Sequence, residues 1–243
     1  TDRRKIFLLL FFFSGGSALI YEVAWTRQFT PIIGNTVLSV SAILAVFMAG
    51  LALGSRIFGR LIDLRPINLI KTYALLEAGI ALYSLALPFF LRVADPIFEV
   101  LYLSTYDSFI ALSLGRLMIS IGLLIFPATL MGGTLPILIR YYTENIDSVG
   151  LHVGRVYTVN IWGAAIGTAA AGFVLIPFAG VRVAVLFAVA VNLLVAAVAW
   201  FLASPADPPY KPEQSKPNPS AGSFIVLSAM FLSGFAALVN EVA

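Results

Sequence analysis

Long apolar runs are the feature of this sequence that most restricts its fold. Seven such runs are separated by charged residues or by Pro and Gly, and a helix needs about 20 apolar residues to cross a bilayer. They predict helices over residues 6–25, 36–58, 67–91, 109–138, 156–177, 181–203 and from 223 onward. Because a backbone in lipid must satisfy its own hydrogen bonds, we predict an all-α, polytopic transmembrane helix bundle with the lipid bilayer as its main partner.

Composition supports a membrane protein and excludes several other classes. Of the 243 residues, 60% are hydrophobic and 11% are charged, whereas an ordinary soluble domain carries about 25% charged residues. This balance argues against a disordered chain, a nucleic-acid-binding module and most soluble enzymes. The absence of Cys excludes thiolate metal sites and cysteine nucleophiles, and the lone His152 argues against a His-based metal site or haem. We therefore predict no cofactor and no metal site.

The distribution of Lys and Arg predicts the orientation of the chain. With a cytoplasmic N-terminus, three basic residues lie on the outer side and eleven on the cytoplasmic side, the side that attracts positive charge. The outer residues are Arg27, Arg92 and Arg182. The cytoplasmic residues are Arg3, Arg4, Lys5, Arg56, Arg60, Arg65, Lys71, Arg140, Arg155, Lys211 and Lys216. We predict a multi-pass protein of a bacterial-type inner (plasma) membrane with its N-terminus in the cytoplasm.

A Pro-rich polar stretch and an internal repeat divide the chain. Residues 204–222 predict a cytoplasmic linker after a six-helix unit over 1–203. Residues 12–24 and 231–243 are identical at eight of thirteen aligned positions, including the pair Glu22 and Glu241. Six intervening spans give both copies the same direction, as in the two parallel halves of a major-facilitator transporter. We expect residues 223–243 to be the truncated first helix of a second repeat.

Four segments also resemble a known family. They are Ser14-Gly15-x-x-Ala18-Leu19-Ile20-Tyr21-Glu22-Val23-Ala24-Trp25-x-Arg27, Gly50-x-x-x-Gly54-Ser55-Arg56-x-x-Gly59-Arg60-x-x-Asp63, Met131-Gly132-Gly133-Thr134-Leu135-Pro136 and Gly154-Arg155-Val156-Tyr157-x-x-Asn160-x-x-Gly163. The chain resembles the membrane domain of spermidine-synthase-like fusion proteins. This resemblance implies a major-facilitator-like bundle and a soluble aminopropyltransferase-like domain in cis. It covers only the membrane part, so no catalytic residue is assigned and enzymatic activity is left undecided.

Two charged residues in the outer half of the bundle are candidates for a substrate or ion pathway. Glu22 and Arg116 both lie inside predicted spans, where an isolated charge is costly and usually pairs or faces a cavity. A pair of Glu22 with Arg116 or with Arg27 fits their depth. Glu241 falls at the same depth in the second repeat, and carboxylates from both halves would suit a cationic polyamine. The alternative is that Glu22 is a packing or interfacial residue.

Glu77 and Asn160 are the other pathway candidates. Glu77 falls near the middle of the third predicted helix, the most expensive depth for an acid. It is either a substrate or proton site, or a structural group bonded to Tyr83, Asn192 or a backbone carbonyl. Asn160, at the inner end of the fifth helix, either lines a cavity or bonds across the bundle.

Glycines and charges near the cytoplasmic end of the second helix predict packing and a conformational latch. Gly50-x-x-x-Gly54 and Gly163-x-x-x-Gly167 are small-residue faces that allow close helix packing. The latch candidates that follow the first face are Arg56, Arg60 and Asp63. The fourth predicted helix contains Pro127 and Pro136, which predict a kinked or broken span.

The sequence thus predicts an integral membrane domain that transports or presents a small solute such as a polyamine. The alternatives are a membrane anchor, an accessory subunit with a membrane-protein partner, and a transporter without an attached enzyme. A transporter should line a midplane cavity with its charged residues, whereas an anchor should bury them against each other. The charged residues in question are Glu22, Glu77, Arg116 and Glu241.

Overall fold

The computed structural model describes residues 2–34, 36–105, 107–142 and 149–203, and this part of the chain is helical without a strand. The helices are α1 (Asp2–Ile33), α2 (Thr36–Leu64), α3 (Leu69–Thr105), α4 (Phe109–Tyr142), α5 (Val149–Ala170) and α6 (Ile176–Leu202), with a π-helical turn at Ala171–Leu175. The all-α prediction is confirmed. The predicted linker, the repeat helix and Glu241 lie outside the described residues.

Five helical stretches of the described chain are long and apolar enough to cross a membrane. They are Arg3–Ile33, Ser39–Leu64, Leu69–Thr105, Ile110–Tyr142 and Val153–Leu202. The chain is therefore a multi-pass membrane protein by its helix lengths and hydropathy. The last stretch has 50 residues, about 75 Å of helix against a hydrocarbon core of about 30 Å. It is interrupted at Gly180, whose φ of 84° and ψ of 164° are not helical and are open mainly to glycine.

Several helices extend further than the apolar pattern predicts. α1 continues to Ile33 instead of residue 25, and α3 continues to Thr105 instead of residue 91. At 37 residues α3 is about 55 Å long, so it exceeds the thickness of the bilayer core. Its last turns carry exposed charges at Asp95 and Glu99, which fall between the predicted helices over 67–91 and 109–138. Apolar periodicity alone misses such polar helix ends.

Prolines do not end the helices in which they occur. α3 contains Pro88 and Pro96, and α4 runs unbroken through Pro127 and Pro136. Of the two alternatives predicted for the fourth span, the broken helix is therefore wrong, and the kink stays a prediction. A proline removes one backbone donor, and in membrane helices neighbouring helices and Ser or Thr hydroxyls can satisfy the freed carbonyl.

Glycines hold α2 against α4 at very short range. A Cβ placed on Gly54 would lie 1.9 Å from the carbonyl oxygen of Thr129, and one on Gly132 would lie 2.3 Å from that of Leu51. No side chain larger than hydrogen fits at either position. The packing role predicted for Gly50-x-x-x-Gly54 is confirmed. Each helix has a glycine that contacts the backbone of the other helix, so the two axes lie close together.

A second glycine contact joins α1 to α5. A Cβ on Gly163 would lie 1.9 Å from the carbonyl oxygen of Phe12, and one on Gly167 would lie 2.2 Å from that of Gly16. The packing role predicted for Gly163-x-x-x-Gly167 is therefore also confirmed. α1 additionally packs against α2, α4 and α6, which makes it the central helix of the described bundle.

Two groups of buried apolar side chains fill the interior at different levels along α1. The first group surrounds Phe7 and Phe11, in the N-terminal part of α1. The second surrounds Trp25 and Phe29, in its C-terminal part. The polar residues described below lie between and alongside these groups.

The Gly54 contact gives a stability prediction with a matched control on the same helix. We expect Gly54→Ala to lower the free energy of unfolding by about 1–3 kcal/mol, because the new methyl group meets backbone atoms of α4. Gly59→Ala should be neutral or slightly stabilising, since no described atom outside the adjoining turns of α2 lies within 4 Å of a Cβ placed there. Thermal unfolding of both variants in detergent measures the difference. Equal unfolding temperatures would contradict the close α2–α4 contact.

Candidate functional site

A carboxyl group enclosed in the bundle joins three helices. Glu77, on α3, has no solvent-exposed surface. The Ser14 hydroxyl of α1 donates to Glu77 Oε1 at 2.5 Å, and the Asn192 side-chain amide of α6 donates to Glu77 Oε2 at 2.7 Å. Both oxygens of this acid are therefore held by direct hydrogen bonds from neighbouring helices.

Helical spacing explains why polar groups gather at this point. Tyr73 and Glu77 lie four residues apart on α3, so they share one face. On α1, Ser14, Ser17 and Tyr21 follow the same face at intervals of three and four residues. All five residues are buried, and the Ser17 hydroxyl donates to the Ser14 carbonyl oxygen at 2.9 Å. The result is a polar seam between α1 and α3 within an otherwise apolar interior.

Several polar atoms in and beside this seam form no hydrogen bond to any described residue. They are the hydroxyl oxygens of Tyr21 and Tyr73, Trp25 Nε1 and Asn192 Oδ1. The Tyr73 hydroxyl lies beside Ser14 and Glu77, and the Tyr21 hydroxyl lies beside Ser84. In proteins, the large majority of buried side-chain polar atoms have a hydrogen-bond partner. The seam therefore has unused hydrogen-bonding capacity near a carboxyl group.

The partners of Glu77 within the described chain are neutral. The side chains whose polar groups lie next to the Glu77 carboxyl are Ser14, Tyr73 and Asn192. None of the thirteen described Lys and Arg residues is among them. Of the partners predicted from sequence, Asn192 is present, whereas Tyr83 donates to the Leu123 carbonyl oxygen at 2.7 Å. The described residues also include no group of three acidic or His side chains that could hold a metal ion.

A second polar area lies on the side of α1 that faces α5. A Cβ on Gly15 would come within 2.5 Å of both Oδ1 and the backbone oxygen of Asn160. Glu22 lies seven residues after Gly15, on the same side of α1 and about 10 Å further along its axis. Both Glu22 and Asn160 are half-buried. The structure thus brings two predicted site residues to one edge of the α1–α5 pair.

Arg116 lies away from that edge. Its Nη1 is 3.3 Å from the position of a Cβ on Gly34, beyond the end of α1. Twelve residues separate Gly34 from Glu22, which is about 18 Å of helix. A direct pair between Glu22 and Arg116, one of two pairings predicted from sequence, is therefore wrong. The pairing of Glu22 with Arg27 stays a prediction.

The described pocket near Arg116 is apolar. It has a volume of about 310 Å³ and lies where α1, α2 and α4 meet at the α1–α2 turn. Its lining residues are Ile33, Ser41, Ala42, Ser113, Leu114 and Leu117. None of the predicted pathway residues lines it, so it does not provide the midplane cavity expected of a transporter.

The latch candidates Arg56, Arg60 and Asp63 are all exposed near the end of α2. Exposure leaves them free to meet another part of the protein, and their latch role stays a prediction. Sequence analysis missed Ser14 as a partner of Glu77. The Ser14–Tyr21 spacing marks one face of α1, but spacing within a helix does not reveal which helix that face meets.

Comparison of the chain with protein-family models, curated proteins and solved structures finds no match.

The two tyrosines of α3 give a matched test of the polar seam. We expect Tyr73→Phe to leave the free energy of unfolding unchanged or raise it, because the lost hydroxyl has no hydrogen bond to a described residue. Tyr83→Phe should cost about 1 kcal/mol, because it removes a bond to the Leu123 carbonyl oxygen. Chemical unfolding in mixed micelles compares them. A larger loss for Tyr73→Phe would show that its hydroxyl is bonded.

Proposed function

We propose that the described helices form one half of a major-facilitator-like membrane domain with a cytoplasmic N-terminus, in a bacterial-type inner membrane. This domain moves or presents a small organic cation, with a polyamine as the leading candidate, beside an aminopropyltransferase-like domain. The resemblance of four segments to spermidine-synthase-like proteins and the repeat of residues 12–24 at 231–243 support this proposal. Function depends on the chemistry of a site more than on a fold, because one fold carries many functions.

The packing of α5 and α6 supports six membrane crossings in the first half. Val156, near the start of α5, and Ala199, near the end of α6, belong to the same buried group as Phe7 of α1. Ala171 and Ala184, on either side of Gly180, belong to the other group. A chain that returns to its starting level has reversed direction, and Gly180 supplies the non-helical residue for that reversal. After six crossings, the repeated helix would enter from the same side as α1.

The half-buried edge formed by Glu22 and Asn160 is the observation that carries the proposed solute binding. A protonated amine donates up to three hydrogen bonds, and carboxylate and amide oxygens accept them. Glu22 supplies charge and Asn160, about 10 Å away along the same side of α1, supplies a neutral acceptor, so the two would receive different amine groups of one polyamine. Glu77 is unsuited to this task in the described conformation because it is sealed between Ser14 and Asn192. In a paired second half, Glu241 would be the counterpart of Glu22.

A membrane anchor is the second candidate function. Full enclosure of Glu77 is the arrangement expected of a protein that uses its intramembrane acid for packing. An anchor would hold a soluble domain at the membrane without a path for solute. Solute uptake separates the two candidates.

The solute-binding proposal predicts that Glu22→Gln abolishes uptake of radiolabelled spermidine by proteoliposomes containing the full-length protein. Removing the carboxylate removes the charge that recognises the amine, whereas the glutamine keeps the size of the side chain. Glu99→Gln is the matched control, because Glu99 is an exposed acid on α3, and it should retain uptake. Equal uptake by the two variants would contradict the role of Glu22. Absence of uptake by the unaltered protein would favour the anchor.

A further inference from the structure

The proposed function does not use the enclosed carboxyl group of Glu77. If this group is ionised, its charge must be compensated inside the membrane. An ionised carboxylate transferred out of water needs a compensating charge or a dense set of donors. Ser14 and Asn192 donate to it, and the neutral Tyr73 hydroxyl lies beside it, although a carboxylate has about four acceptor positions. The described Lys and Arg side chains supply no charge at this point. Ionised Glu77 would therefore be an undercompensated anion inside the membrane.

The space around Glu77 restricts which cation can neutralise it. Each carboxyl oxygen is already in direct contact with a protein donor, at 2.5 Å and 2.7 Å, and the residue has no exposed surface. An ammonium group brings three donors of its own and would have to displace Ser14 or Asn192. A proton displaces neither side chain, because it can take the place of the Ser14 hydrogen in the 2.5 Å contact between Ser14 Oγ and Glu77 Oε1 once that hydrogen turns away.

We propose that Glu77 is a proton-binding site whose carboxyl group is neutral in the described conformation. The carboxylic O–H at Oε1 donates to Ser14 Oγ, and Oε2 continues to accept from the Asn192 amide. The Ser14 hydrogen then turns to the α1 carbonyl oxygen one turn earlier, the usual acceptor for a helical serine. The proton comes from water and returns to water when the carboxyl ionises. No unpaired charge remains between α1, α3 and α6.

The groups that face Glu77 are compatible with a single titrating site. α3 contributes Tyr73 and α1 contributes Tyr21, both phenols that are neutral at neutral pH. α6 contributes Asn192, which does not titrate. α4 contributes Tyr142, whose hydroxyl interacts electrostatically with that of Tyr73. Glu77 is thus the one carboxyl group among these described side chains. Because it is sealed, exchange of its proton with water requires a separation of α1 or α6 from α3.

Infrared spectroscopy of the full-length protein in lipid tests this proposal without any substrate. We expect a carboxylic-acid C=O stretching band at neutral pH that Glu77→Gln removes and Glu99→Gln retains. Raising the pH should convert the band to carboxylate absorption reversibly. A spectrum in which Glu77→Gln removes carboxylate absorption instead would show an ionised Glu77 and overturn the proposal.

A second variant keeps the test decisive if Glu77→Gln fails to fold. Ser14→Ala removes the acceptor of the proposed O–H bond and should shift the frequency of the same band without abolishing it. An unshifted band would show that the proton is not shared with Ser14 and would overturn the proposed geometry. The result is independent of uptake, so failure of spermidine transport would leave this inference intact, and the reverse also holds.

Discussion

The hydrogen bonds of the Glu77 carboxyl group determine how three of the described helices meet. Ser14 and Asn192 each donate to a different oxygen of the same acid, so α1 and α6 are both tied to α3. Within lipid there is little hydrophobic drive to bring helices together, so such polar bonds and close packing must supply the specificity. A shift in any of the three helices would leave a buried polar group without its partner. That penalty is what gives the arrangement its specificity.

Close glycine packing complements this polar contact on the other sides of α1 and on α2. Gly163 and Gly167 bring α5 against α1, and Gly54 and Gly132 bring α4 against α2. At the end of the bundle where α1 begins, the Tyr142 hydroxyl of α4 donates to the Arg4 carbonyl oxygen. α1 is therefore held by backbone packing on one side and by a side-chain carboxyl on another. This central position also brings half-buried Glu22 to the α1–α5 edge.

The sequence predicts the helical class and the small-residue contacts well because both follow from local patterns. An apolar run longer than the bilayer core leaves few alternatives to a helix, and Gly at intervals of four marks one face. The ends of α1 and α3 were less predictable, since their last turns carry charges and prolines that resemble loops. Sequence pattern could place Glu77 near the membrane centre. It could name Asn192 only among several partners, because the choice between Tyr83 and Asn192 depends on helix rotation.

A double-mutant cycle between Glu77 and Asn192 tests whether their hydrogen bond holds α3 to α6. Glu77→Leu leaves Asn192 buried without its acceptor, and Asn192→Leu leaves Glu77 without its α6 donor, so each single variant should lower the free energy of unfolding. The double variant removes both polar groups. The account predicts that it loses less than the sum of the single losses, with a coupling of about 1–3 kcal/mol in mixed micelles. Additive losses would show that Glu77 and Asn192 do not hold α3 to α6.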